Sequence, residues 1–127
     1  MTRIPNEERA MMELAIYLPM LLIVLNKDLA TIQQSNFKLK KPYVTIIEQS
    51  MKQIQIDLRR IKKEMYKNDL KVCEVNRDEA FTDFLFIYKG YEERHNYFNP
   101  RIRNKVQDLM IVYLQDNKIN SAKPIDT

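Results

Sequence analysis

Seven apolar residues, Val44, Ile47, Met51, Ile54, Leu58, Ile61 and Met65, recur at alternating steps of three and four, an unbroken heptad seam over three heptads. Such steps keep returning to one side of a helix with 3.6 residues per turn, so the segment is predicted to form one long helix starting at Pro42 and reaching Lys67. A seam this regular needs an apolar surface opposite it. Two surfaces fit: a helix of the same chain packed antiparallel as in a bundle, or the seam of a second copy in a parallel pair. In the parallel pair Asp57 at g would face Lys62 at e, and no e/g pair repels. Ile56 lies off the seam and argues for a wider apolar face, which suits a globular bundle that also dimerises.

The chain carries an apolar partner for this seam. Leu14 to Leu25 is a run of twelve residues without a charge, closed by Glu13 on one side and by Asn26, Lys27 and Asp28 on the other. A membrane span needs about twenty such residues. A secretion signal needs a basic start and a small-residue cleavage site, whereas Glu7 and Glu8 offset Arg3 and Arg9 here. The run therefore reads as a core helix, with a monotopic surface anchor as the alternative. Asn6 is the expected cap, Glu7 and Glu8 suit the positive helix start, and Pro19 is expected to kink or break the helix before it ends near Gln33.

Beyond Lys67 the pattern changes. Leu70, Val72 and Val75 alternate loosely with polar residues, and Phe84 to Tyr91 is aromatic and β-prone, which predicts a short antiparallel hairpin. Asn76 to Glu79 would connect its strands and Gly90 would mark a bulge or bend in the second; a helix over Asp78 to Tyr88 is the competing reading. Asn99 followed by Pro100 signals a last helix, apolar along Ile102, Val106, Leu109, Met110 and Tyr113 and ending near Gln115. A single glycine disfavours an all-β fold, which would need many tight turns. The expected class is α+β, mainly α: a kinked apolar N-terminal helix, the long heptad helix, a short antiparallel β-hairpin and a C-terminal helix. These form one helix-rich domain over 1–115, and 116–127 is expected to be a polar, flexible tail.

Charge is unevenly spread. The net is +4 with a pI near 9.1, yet Ser35 to Lys67 holds nine Lys or Arg against three acids, a local net of +6 that leaves −2 for the rest. Lys38, Lys40 and Lys41 precede the heptad helix, while Arg59, Arg60, Lys62, Lys63 and Lys67 crowd its C-terminal half. Phosphates favour such a patch because each neutralised contact releases counterions. The plain alternative is a solvated face whose cations complement the helix dipole. Arg101 and Arg103 open the last helix just after Tyr91, Tyr97 and Phe98, a mix that fits base stacking or the edge of a core. The segment from Asp78 to Phe98 is acidic and aromatic and would suit a protein partner.

Chemistry finds little to work with. One glycine excludes Gly-rich phosphate loops, one cysteine excludes an intramolecular disulfide and a multi-thiolate zinc site, and one histidine, His95, cannot make HExxH. Cys73, in an alternating apolar run, is expected to be buried as a small hydrophobe, and His95 to be solvated or hydrogen-bonded. No catalytic residue, metal ligand or cofactor is expected. The sequence points to a small non-enzymatic cytoplasmic regulatory or accessory protein, dimeric, binding DNA or RNA through the basic helix face. The alternative is a protein-interaction module that docks through its seam or its aromatic hairpin.

Overall fold

The computed structural model describes residues 4–122, with side chains described through residue 115. Helix α1 (Asn6–Gln33) is followed by α2 (Lys41–Lys67), strands β1 (Leu70–Arg77), β2 (Phe81–Tyr88) and β3 (Tyr91–Phe98), and α3 (Asn99–Ala122). The class is α+β, mainly α, with the helices in the expected order.

Helix α1 is a single helix with Pro19 inside it, so the proline leaves one backbone carbonyl without its usual partner but does not split the element. Pro5 rather than Asn6 occupies the cap, where its carbonyl accepts the Arg9 N–H at 2.9 Å. Met12, Leu18, Leu21 and Leu25 are fully buried. Among the described residues α1 is the one helix long and apolar enough to cross a membrane, and the fold uses it as the core helix, set against α2, α3 and the sheet.

The heptad seam lies on α2 and is used within the chain. Ile47, Ile54 and Met65 belong to the core, Met51, Leu58 and Ile61 pack against it, and Val44 is half-buried. Ile56 does not widen this face; it points to solvent. The buried stripe leans the other way, because Ser50 and Asp57 go inward with Ile47 and Ile54. These two polar groups are paired as burial requires. Ser50 Oγ donates to the Tyr113 carbonyl at 3.1 Å, and Tyr113 Oη donates to Asp57 Oδ2 at 2.5 Å. The other carboxylate oxygen accepts from Gln53 Nε2 at 3.0 Å and from Arg60 Nη2 at 3.1 Å.

Burial and then the Asp57 acceptor push the Tyr113 phenol above its ordinary 10.0. A phenol whose pKa rises on folding stabilises the fold fully below its unfolded pKa and loses that contribution as pH climbs towards the folded one. Stability measured by urea unfolding is therefore expected to drop above pH 10. Tyr113→Phe should flatten part of that drop and cost about 1.5–3 kcal/mol at neutral pH.

The β segment is a three-stranded antiparallel meander in the order β1-β2-β3, not a two-stranded hairpin. Asp78 to Tyr88 contributes strand β2 rather than a helix, and Gly90 sits in a turn rather than within a strand. Lys89 and Gly90 have φ of 50° and 85° between the paired Tyr88 and Tyr91, the double positive φ of a two-residue type I′ hairpin. The first turn is held by Asp78, whose Oδ1 accepts the N–H groups of Phe81 at 2.7 Å and Ala80 at 2.8 Å; these bonds keep its carboxyl below the usual range. Asn99, expected as a helix cap, clamps this turn: Nδ2 donates to the Asp78 and Glu79 carbonyls, and Oδ1 accepts from Thr82 Oγ1 at 2.6 Å.

Thr82, Phe84 and Phe86 of the central strand are buried. The register places Leu70, Val72 and Tyr97 on the same side, where the helices pack. Cys73 faces the other way and is exposed, which corrects its expected burial: on an edge strand with one face open, alternation puts it on the solvent side. Helix α3 buries Ile102, Val106 and Tyr113 and half-buries Leu109 and Met110. It runs to Ala122, past the end expected near Gln115, and residues 123–127 of the expected tail lie outside the described residues.

Candidate nucleic-acid interface

Burying one stripe of α2 fixes what its opposite face presents. Arg59, Lys62, Lys63 and Tyr66 follow at i, i+3, i+4 and i+7, so they share a side of the helix turned from the core, and all four are exposed. Lys67 extends the patch in the last turn, where the unpaired helix carbonyls favour a cation. Tyr66 is 87% exposed, so most of its ring is open to solvent. Arg60 stands apart, because its guanidinium is held on Asp57. Among the described residues Arg59, Lys62, Lys63 and Lys67 make no salt bridge.

The turn after α2 enlarges this charged end. Asp69 takes a left-handed φ of 58°, a conformation an Asp tolerates, and the chain reverses into β1. The Asp69 carbonyl accepts the Lys89 N–H at 2.9 Å, and Lys89 Nζ donates to the Asn68 carbonyl at 3.3 Å. The β2–β3 turn is thereby fastened to the end of α2. An open groove of about 760 Å3 runs between the last turns of α2 and the start of β1, with Lys62 and Tyr66 on one wall and Lys71 on the other.

The chain belongs to the YhjD family. The model of that family, described as YhjD protein, matches residues 3–118 and so spans every element that builds this surface. A protein of Bacillus subtilis (strain 168) described as "Uncharacterized protein YhjD" is 45% identical over 114 residues, covering 90% of this chain and 95% of its own. No solved structure matches.

In this YhjD-family chain the basic residues singled out by sequence fall into three places. Arg59, Lys62, Lys63 and Lys67 form one patch at the C-terminal end of α2. Lys38, Lys40 and Lys41 stand at its other end, Lys41 about 27 Å from Arg59 along the helix axis. Lys40 is engaged there, its Nζ donating to the Gln33 carbonyl at 2.9 Å to close the α1–α2 connection. Arg101 and Arg103 are exposed on the first turns of α3, in clefts to which α2 contributes no residue: Arg101 near Glu13 and Tyr97, Arg103 near Met20 and Arg77. Sequence reasoning missed Tyr66, Lys71 and Lys89 as members of the basic end. Tyr66 was legible, since it lies seven residues beyond Arg59; the two lysines are brought in by tertiary contacts.

The remaining polar cluster is structural. Tyr97 Oη donates to Glu13 Oε2 at 2.6 Å, joining β3 to α1. His95 Nε2 lies 2.7 Å from Glu93 Oε1, and each terminal nitrogen of Arg9 lies 3.2 Å from a ring nitrogen of His95. A neutral imidazole has one donor and one acceptor, so the geometry fits Nε2–H donating to Glu93 and Nδ1 accepting from Arg9. Among the described residues no group of three or more His, Cys, Asp or Glu is placed to hold a metal.

Proposed function

We propose that this YhjD-family protein is a non-enzymatic cytoplasmic accessory protein that binds single-stranded nucleic acid on the basic end of α2. The observation that carries the reading is Tyr66, 87% exposed and set among four cations that make no salt bridge among the described residues. Unpaired bases offer flat faces to an aromatic ring, while the phosphates between them need spaced cations. A duplex hides its base faces, so an exposed tyrosine favours the single strand. The protein-interaction reading attaches to the far end of the sheet's outer side, where the Phe81 and Phe98 rings meet at a tilt with centroids 5.4 Å apart and both are exposed.

Binding of a labelled oligothymidine by fluorescence anisotropy tests the proposal. Tyr66→Ala is expected to weaken binding by about 5–150-fold, the value of one base–aromatic stack, with the salt dependence kept. Tyr66→Phe should bind nearly as the parent does. An alanine variant that binds as tightly as the parent would refute the stacking role.

A further inference from the structure

The helices pack on one side of the sheet, and among the described residues no element covers the other side, which the end of α2 borders only at β1 through Lys62 and Tyr66. Leu85, Ile87, Cys73, Phe81 and Phe98 lie on this outer face and take no part in the core or its margin. The paired positions form rows across it: Lys71–Ile87–Glu92, then Cys73–Leu85–Arg94, then Asn76–Asp83–Asn96. The first row carries a cation on the β1 edge, an anion on the β3 edge and an apolar residue between them. A surface with opposite charges on opposite edges of one row is complementary to itself under a two-fold rotation.

We propose that two copies of this chain dock through these outer faces, about a two-fold axis parallel to β2. The rotation lays β1 of each copy over β3 of the other. Lys71 then faces Glu92 on both flanks, Ile87 and Leu85 meet their own counterparts at the centre, and Asp83 meets its own counterpart at one end, with Arg94 of each copy in the adjoining row. A two-fold across the strands with the same overlap would set Asp83 against Leu85 or Ile87. Three strands of eight residues give a face of about 14 by 27 Å. That is about 380 Å2 on each copy, below the area of a stable interface, so the whole face must be used and only weak, transient association near 100 µM is expected. This face shares Lys71, Cys73 and Ile87 with the groove that holds Lys62 and Tyr66, so the test reads mass rather than nucleic-acid binding, and Glu92, which lies outside the groove, supplies the reversal that leaves the basic end unchanged.

The experiment is sedimentation equilibrium on the full chain and three variants, with circular dichroism as the folding control. The parent is expected to be a reversible dimer at about 100 µM. Lys71→Glu and Glu92→Lys should each weaken association more than about tenfold, and the double exchange should restore it. A parent that stays monomeric, single reversals without effect or a double exchange that fails to rescue would overturn the proposal. Oxidation of Cys73 supplies a second readout. In the docked pair the two Cys73 sit on opposite flanks of sheets about 10 Å apart, beyond the 7 Å that a disulfide spans. Rapid cross-linking through Cys73 would overturn face-to-face docking in favour of pairing between β1 edges.

Discussion

Phe86→Ala is expected to destabilise the protein by about 3–5 kcal/mol, a large share of the roughly 5–15 kcal/mol that a domain of this size commands. Phe86 is fully buried at the middle of the central strand. Its ring stacks on Tyr97 at 6.3 Å between centroids, meets His95 edge-on at 5.1 Å, and lies 5.6 Å under the Arg9 guanidinium. Truncation opens a cavity and also leaves Arg9 and His95 without the surface on which they rest. Guanidinium unfolding should show a lower midpoint with little change in slope. Phe86→Leu retains much of the volume but none of the aromatic contacts, and should fall between the parent and alanine.

The combined variant Arg59→Glu, Lys62→Glu, Lys63→Glu is expected to remove most nucleic-acid binding. All three side chains are exposed and make no salt bridge among the described residues, so stability should change by less than about 0.5 kcal/mol per site. Each lost phosphate contact to a single strand lowers the salt slope by about 0.7, so the slope should fall by about two as affinity is lost. Arg60 is left in place because it holds the buried Asp57 carboxylate. Reversing Arg60 would disturb the α2–α3 contact and confuse a binding effect with a folding one.

The elements set by local pattern were the readable ones. Alternating steps of three and four gave α2 its ends, and Asn99-Pro100 marked the start of α3. Strand β3 was hidden because Glu92, Glu93, Arg94, His95 and Asn96 blur the alternation that a half-buried strand normally shows. Its inward residues Glu93, His95 and Tyr97 are polar because α1 supplies Arg9 and Glu13 to meet them, a pairing that spans most of the chain and leaves no local trace. The same holds for Asp57, which heptad arithmetic placed at g beside the seam, and for Ser50 one heptad earlier: Tyr113 draws both inside. Cys73 was misjudged because alternation tells which residues share a face but not which face the helices cover.

The candidate site was half legible. The density of cations on α2 was plain, and their common face follows from helical spacing. The sequence could not show that Arg60 is committed to Asp57, that Lys40 closes a connection, or that the β2–β3 turn brings Lys89 to the end of α2. Arg101 and Arg103, read with Tyr91, Tyr97 and Phe98 as fitting base stacking or the edge of a core, stand in clefts of their own on α3.

The most direct test is a salt titration of oligothymidine binding by the parent protein. With Arg59, Lys62, Lys63 and Lys67 on phosphates, log affinity should fall linearly with log salt at a slope of about −3, near −0.7 for each of four contacts to a single strand. No binding at about 50 mM salt, or binding that does not change with salt, would contradict a phosphate-holding basic end.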